Sequence, residues 1–134
     1  MRHVVPVVLF LVGLILAAPV LGVLGVERLQ ALYGVTVAGP DMAILMRHRA
    51  LMLGVLGVFS LVAAFRPRLR FAALMTGLAS IGGFLALAMA TGGYNADVAK
   101  VVMIDWIALG LLAAGLVAWF SSPAARHIPK RTFS

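Results

Sequence analysis

The chain has 134 residues, of which 63% are hydrophobic and only 11% are charged, and it contains no cysteine. A soluble domain typically carries about 25% charged and about 45–50% apolar residues, so this composition excludes an ordinary soluble globular protein. The formal net charge is +7, but long apolar runs separate the basic residues, which form no stripe of the kind that binds nucleic acid. The composition therefore indicates an integral membrane protein without disulfides or thiol chemistry.

Four apolar stretches are long enough to cross a bilayer, since a transmembrane helix needs about 20 mainly apolar residues to span about 30 Å of hydrocarbon. The sequence predicts such helices over about 4–26, 42–65, 71–90 and 101–120. No soluble domain fits in the remainder. The predicted fold is therefore an all-α integral membrane four-helix bundle, a single domain over residues 1–134 with a basic cytoplasmic tail over 121–134.

Two prolines predict how the first two spans end. Pro19 lies deep in span one, where it should kink or break the helix near its outer end. Pro67 ends span two, so residues 66–70 form a short hairpin to span three. A cleaved signal peptide is the competing interpretation of the N-terminus. It fits poorly because Pro19 would follow the cut and the apolar run continues to Val26, so we expect a retained helix.

The charges predict N-in/C-in topology. In that orientation the outer face holds four cations and four acids, which cancel, and the inner face holds seven cations and no acid. The inner cations are Arg2, Arg66, Arg68, Arg70, Arg126, Lys130 and Arg131. Lys and Arg in short loops resist translocation and are attracted to anionic inner-leaflet lipid. We therefore expect a multi-pass protein of the bacterial inner membrane with both termini in the cytoplasm.

Small residues indicate where the helices pack closely. Span two carries Ala50, Gly54 and Gly57 on one stripe. Further pairs at this spacing are Ala73 with Gly77, Ala79 with Gly83, and Gly110 with Ala114. Such pairs favour packing within one bundle, while a homo-oligomer or a larger membrane complex stays open.

A polar cluster opens the second span, because Arg47-His48-Arg49 lies about one and a half helical turns inside it. Charges within membrane spans are costly and therefore mark candidate sites. Arg47 shares the face of the packing stripe, so we expect it to point inward and to pair with Asp105 of span four at similar depth. That pair either locks two helices together or forms part of a ligand pocket.

The neighbouring outer loops supply the rest of the candidate pocket. The candidate ligand-binding residues are Arg47, Asp105, Tyr33, Tyr94, His48, Arg49, Glu27 and Asn95. Residues 27–33 predict a short helix along the membrane interface with Tyr33 as an anchor. An alternative role as helix cap is open for Asp41 and for either Asn95 or Asp97. The alternative for Asp97 and Lys100 is an ion pair on the helix surface.

Motifs for several chemistries are missing. The sequence has no glycine-rich phosphate loop, paired-histidine metal motif or nucleophile elbow. In the predicted topology its three histidines fall on both sides of the membrane, so we expect no metal or haem and assign no cofactor. Spans one and three hold no charge, which disfavours a proton-coupled exporter of the small multidrug resistance kind.

The order Leu32-Tyr33-Gly34, Asp41 and then Arg47-His48-Arg49-Ala50 at the start of a glycine-rich helix resembles small bacterial four-helix membrane proteins of the DoxX-like group. The likeness covers nearly the whole chain in span number and length. It implies an accessory or quinone-proximal role in a membrane complex. Similar proteins are sometimes labelled phosphopantetheine adenylyltransferase, but the His-x-Gly-His motif of that soluble enzyme is absent.

Two functions remain open. The first is a non-enzymatic protein that binds a lipid, a quinone or a small amphiphile in an outer-leaflet polar pocket, or serves as an accessory subunit. The second is a membrane enzyme acting on a lipid or quinone, with Asp105 or His48 as acid or base. The MAPEG group has the same size and span number and also carries Arg and His on its second helix. In that group the pattern continues to Asn and Glu on the same helix, whereas here Arg49 is followed by Ala50-Leu51-Met52.

Overall fold

A computed structural model of the protein describes residues 3–121, which are all-helical. The helices are α1 (Val4–Ala17), α2 (Val26–Tyr33), α3 (Gly39–Phe65), α4 (Arg70–Thr91) and α5 (Ala96–Ser121), with 3-10 segments at Ala18–Leu24 and Pro67–Leu69. The all-α prediction is confirmed for this part of the chain. Arg2 and the predicted basic tail beyond Ser121 lie outside the described residues.

Within residues 3–121, four helical segments are long and apolar enough to cross a membrane: Val4–Leu24, Gly39–Phe65, Pro67–Thr91 and Ala96–Ser121. Each corresponds to one of the predicted spans, and the first ends two residues before its predicted end. The second and fourth begin before the apolar stretch does, because α3 opens on Gly39, Pro40 and Asp41, and α5 starts directly after Asn95. Proline and an acidic residue suit the first turn of a helix, so hydropathy located the apolar parts of these helices but not their ends.

The long helices form a ring in which α1 packs on α3, α3 on α4, α4 on α5, and α5 on α1. Helices α1 and α4 also touch across one diagonal of the ring. Across the other diagonal, no Cα atom in the described part of α3 lies within 8 Å of a Cα atom of α5. The bundle is therefore closed between α1 and α4 and leaves a gap between α3 and α5.

The contact between α1 and α3 depends on glycine. A Cβ atom on Gly57 would lie 2.6 Å from the Ala17 backbone nitrogen and 2.8 Å from the Gly13 carbonyl oxygen. On the same stripe Ala50 and Gly54 are also buried, Gly54 against Val20 of the 3-10 segment. The prediction that this stripe packs within the bundle is thus confirmed.

Two other small-residue pairs do not pack. Ala79 and Gly83 of α4 are exposed, as are Gly110 and Ala114 of α5. Their predicted packing role is wrong, because both helices contact the bundle through a neighbouring face. A Cβ on Gly115 of α5, for example, would lie 3.1 Å from side-chain atoms of Leu74 and Val8.

The first span breaks where Pro19 predicts. Helix α1 ends at Ala17, and Pro19 lies at the start of the 3-10 segment Ala18–Leu24. Proline has no N–H to donate and its ring clashes with the preceding turn, which ends the α-helix. The chain then turns at Gly25 into α2, whose Leu29 and Tyr33 are buried. The proline thus leads to a short helix packed at this end of the bundle, which we call the α2 end.

The hairpin between α3 and α4 lies at the opposite end and also matches its prediction. Helix α3 ends at Phe65, and Pro67–Leu69 form one 3-10 turn. The Arg66 N–H donates to the Ala63 carbonyl at 3.2 Å, and the Arg70 side chain donates to the Ala64 carbonyl at 3.0 Å. These bonds satisfy carbonyl groups that the end of a helix leaves without partners.

Candidate functional site

A cavity of about 590 Å³ lies in the α2 end of the bundle, with walls from α3, α4 and α5 and from the end of the first span. It exists because α3 and α5 do not meet across the ring. Its lining is Ile15, Leu16, Ala18, Pro19, Leu32, Tyr33, Arg49, Met52, Leu53, Leu56, Ser80, Ile81, Gly83, Phe84, Leu87, Val101, Ile104 and Asp105. The lining is apolar except for Tyr33, Arg49, Ser80 and Asp105, a composition typical of sites for largely apolar ligands.

The Arg49 guanidinium is held between two aromatic rings. Its central carbon lies 4.9 Å from the centroid of the Tyr33 ring and 5.1 Å from that of the Phe84 ring. Both distances are within the range of about 6 Å over which a cation is attracted to a ring face. We call this arrangement the Tyr33–Arg49–Phe84 stack. It joins α2, α3 and α4 at the rim of the cavity.

In the described part of the chain, neither charge at the cavity forms a hydrogen bond or an ion pair, although each lies within electrostatic reach of the other. Arg49 donates no hydrogen bond, and Asp105 takes part in no hydrogen bond or ion pair there. The ion pair of residues 3–121 is Lys100 with Asp97, at 2.8 Å on the surface of α5, as predicted. The hydrogen-bonding capacity of Arg49 and Asp105 is therefore left for a ligand or water.

The prediction that Arg47 is the inward cation, paired with Asp105, is wrong. Arg47 is exposed, and its Nε donates to the Val23 carbonyl at 2.9 Å. The stripe that Arg47 extends does face inward, but its outer end meets the last turn of the 3-10 segment, where carbonyl groups lack helical partners. The Arg47 side chain donates to one of these carbonyl groups. The cavity lies on the neighbouring face of α3, and that face carries Arg49.

Of the eight predicted ligand-binding residues, the structure brings Tyr33, Arg49 and Asp105 together at the cavity. His48, Glu27 and Tyr94 are exposed and do not line it. With His48 on the surface, Asp105 remains as the acid or base candidate that lines the cavity. The residues that sequence reasoning missed are Ser80 and Phe84, which lie one helical turn apart on α4. A hydroxyl within an apolar span was the available signal for Ser80; nothing in the sequence distinguished Phe84.

Asn95 has a structural role beside the cavity. Its Oδ1 accepts a hydrogen bond from the Val98 N–H at 2.8 Å, which makes it the predicted cap of α5. Its Nδ2 donates to the Tyr33 carbonyl at 2.9 Å and to the Gly34 carbonyl at 3.0 Å. Asp41, in contrast, does not cap α3, since the cap position is Ala38 and Asp41 lies in the first turn.

Tyr33 stays a neutral phenol near neutral pH. Burial raises the pKa of Tyr33 above its ordinary value of 10.0, and the opposing effect of the Arg49 charge does not cancel this. Its ring therefore presents an uncharged π face to Arg49. The cation–π contact does not depend on pH in the physiological range.

A second cavity of about 240 Å³ adjoins the stack. It is lined by Tyr33, Val35, Thr36, Met42, Met46, Arg49, Phe84 and Val98. The Tyr33–Arg49–Phe84 stack contributes to the walls of both cavities. It is thus the boundary between a larger, mostly apolar space and a smaller one next to residues 35–42.

Comparison with protein-family models, with curated proteins and with solved structures finds no match for this chain. Within residues 3–121, no group of three or more His, Asp or Glu residues lies close enough together to hold a metal ion. The chemistry of the site must therefore be inferred from the cavity itself.

Proposed function

We propose that this chain is an integral protein of the bacterial inner membrane that binds a lipid or a similar small amphiphile in the larger cavity. In this proposal both termini are cytoplasmic, and the α2 end lies in the outer leaflet. Arg49 and Asp105 bind the polar head of the ligand. The apolar lining between Leu16, Leu53 and Ile81 contacts its chain. The proposed activity is binding and not catalysis, and the DoxX-like resemblance stays a prediction.

The observation that carries this proposal is the pair of opposite charges at one mostly apolar cavity, which act on each other electrostatically but form no hydrogen bond or ion pair. Burying a charge without a partner is costly. If Arg49 and Asp105 served only to lock two helices together, we would expect them to contact each other, but α3 and α5 lie apart. A ligand that occupies the gap provides the missing partners and fills space that helix packing leaves empty.

The size and walls of the cavity suit such a ligand. A volume of about 590 Å³ lies within the range of about 300–1,000 Å³ that is usual for small-molecule sites. Several apolar lining residues are also exposed on the surface of the bundle, among them Met52, Leu87 and Ile104. In a bilayer that surface faces acyl chains, so a lipid can enter from the side without crossing water.

Two adjacent glycines of α4 allow a matched test. A Cβ on Gly83 or on Gly82 would meet no atom within 4 Å, but only Gly83 lines the cavity. We expect Gly83→Leu to fill the cavity and Gly82→Leu to leave it open. The measurement is native mass spectrometry of protein gently purified from its host membrane. Wild type and Gly82→Leu should carry a lipid adduct that Gly83→Leu loses.

A lipid adduct retained at equal occupancy in Gly83→Leu would show that the lipid binds elsewhere and would overturn the proposal. The absence of any adduct from wild type would overturn it as well. Both variants add the same side chain to the same helix, so a difference between them cannot come from helix propensity alone.

A further inference from the structure

The positions of Arg49 and Asp105 restrict the head group of the ligand, an inference that rests on the proposed function. Arg49 is ten residues after Gly39, the first residue of α3, and Asp105 is nine residues after Ala96, the first residue of α5. Both helices start at the α2 end, where Asn95 bonds to the last residues of α2. At about 1.5 Å per residue the two charges lie at nearly the same depth, on helices that face each other across the cavity.

A head group at this depth meets donors on one side and acceptors on the other. The Arg49 guanidinium presents only N–H donors, and an ionised Asp105 presents only acceptor oxygens. A quinone has carbonyl acceptors at both ends of its ring and would leave Asp105 facing an oxygen. A head that carries an anion on one side and a hydroxyl or ammonium on the other satisfies both residues.

We propose that the ligand is a single-chain phospholipid whose phosphate binds Arg49 and whose ammonium or hydroxyl donates to Asp105. Arg49 is suited to phosphate because its planar guanidinium can donate two parallel hydrogen bonds while the Tyr33 and Phe84 rings lie against it. Besides the two charges, the polar side chains of the lining are Tyr33 and Ser80. The apolar remainder of the cavity holds the acyl chain.

The smaller cavity provides space for the part of the head group that extends past Arg49. Among the residues that line this cavity, Arg49 is the one cation and none is an acid; Tyr33 and Thr36 are the neutral polar residues. A phosphate bound to Arg49 thus has room on the far side of the stack without meeting a negative charge. The site as a whole places the phosphate at the boundary of the two cavities and the chain in the larger one.

The test compares probes that share a palmitoyl or hexadecyl chain and differ in the head. They are lysophosphatidylethanolamine, lysophosphatidic acid with its free hydroxyl, palmitate with an anion alone, and hexadecylamine with an ammonium alone; decylubiquinone represents the quinones. Binding to the purified full chain in maltoside detergent is titrated by native mass spectrometry. We expect both lysophospholipids to bind about tenfold more tightly than any of the other three, since each of those loses one charge-assisted contact.

Variants assign each half of the head. Arg49→Gln should weaken the binding of lysophospholipids and palmitate but leave hexadecylamine binding unchanged. Asp105→Asn should weaken the binding of lysophosphatidylethanolamine and hexadecylamine but leave palmitate binding unchanged. Arg47→Gln and Asp97→Asn are the matched controls, because both residues are charged, lie near the same end and do not line the cavity. A preference of lysophosphatidylethanolamine over lysophosphatidic acid that disappears in Asp105→Asn identifies ammonium as the donor.

Equal affinity of wild type for all five probes, or tightest binding of decylubiquinone, would overturn the head-group assignment, and this comparison needs no variant to fold. It would leave the proposed function intact if Gly83→Leu still abolished binding. Conversely, if Gly83→Leu bound every probe as wild type does, the cavity itself would be excluded as the binding site. The two proposals therefore fail in distinguishable ways.

Discussion

Next to the cavity, Asn95 connects the end of α2 to the start of α5. One side chain caps α5 through Val98 and bonds to the carbonyls of Tyr33 and Gly34. Loss of a cap costs about 0.5–2 kcal/mol, and each further hydrogen bond contributes about 0.5–1.5 kcal/mol. We expect Asn95→Ala to lower the free energy of unfolding by about 1.5–5 kcal/mol, measured by denaturant unfolding in mixed micelles.

Asn95→Ser separates the two roles of this side chain, since its hydroxyl oxygen still accepts from the Val98 N–H while the amide donors to α2 are lost. Its loss should be smaller than that of Asn95→Ala, and lysophospholipid binding should still weaken because Tyr33 is no longer held. Tyr94→Ala is the control. Tyr94 is exposed, so we expect a change within about 0.5 kcal/mol. A loss in Tyr94→Ala equal to that in Asn95→Ala would contradict the assigned role.

Individual residues show where sequence reasoning reaches its limit. The sequence predicted that Arg47, Arg49 and Asp105 are unusual, because charges in apolar helices are costly. It selected Arg47 as the inward cation because Arg47 shares the face of the packing stripe, and that choice was wrong. The decision depends on the 3-10 segment, whose Val23 carbonyl accepts from Arg47. Helical periodicity does not predict this segment or its position, because both belong to the tertiary structure.

At the scale of elements, the contact between α1 and α3 gives the sharpest stability prediction. A Cβ on Gly57 would approach the backbone nitrogen and Cα of Ala17 within 2.9 Å. Backbone atoms cannot move aside as a flexible side chain can, so the two helices must separate. We expect Gly57→Ala to lower the free energy of unfolding by about 1–3 kcal/mol, the usual cost of overpacking, measured by denaturant unfolding in mixed micelles.

Gly110→Ala is the matched control for that prediction. Gly110 lies in the interior of an apolar helix as Gly57 does, but a Cβ there meets no atom within 4 Å. Because Ala is favoured over Gly in a helix by up to about 1 kcal/mol, this substitution should be neutral or stabilising. If Gly57→Ala were as well tolerated as Gly110→Ala, the close approach of α1 and α3 would be refuted.

The elements themselves were largely predictable. Apolar length located all four long helices, Pro19 and Pro67 marked where two of them end, and residues 27–33 were expected to be a short helix. Two of the four small-residue stripes were assigned to the wrong surface, because small residues recur on every face of α4 and α5. A spacing rule states that two residues share a face, but the neighbouring helices decide whether that face is buried.

The cavity belongs to the scale of the whole molecule. It results from a ring in which α1 touches α4 while α3 and α5 stay apart, and no single helix carries a signal for that arrangement. The sequence predicted a polar pocket at the correct end of the bundle because Tyr33, Arg49 and Asp105 all fall there. It did not predict the volume or the aromatic partners of Arg49, which depend on how four helices meet.

The distribution of charge over the whole chain predicts its orientation, and the absence of cysteine makes that prediction easy to test. Thr91 at the end of α4 and Ser121 at the end of α5 are exposed and lie at opposite ends of the bundle. With N-in/C-in topology, Thr91→Cys should react with a membrane-impermeant maleimide in intact spheroplasts. Ser121→Cys should react only after the membrane is permeabilised. The reverse pattern would contradict the proposed topology.

The cause of the orientation can be tested on the same Ser121→Cys background. Arg66 and Arg68 are exposed in the hairpin, whereas Arg70 donates to the Ala64 carbonyl and is left unchanged. If cations in this hairpin hold it in the cytoplasm, Arg66→Gln with Arg68→Gln should allow part of the population to insert the other way round. Ser121→Cys should then be labelled partly from outside. Removal of two cations from the predicted outer face by Arg28→Gln with Lys100→Gln should cause no such labelling. Cations on that face oppose the predicted orientation, so their loss strengthens it.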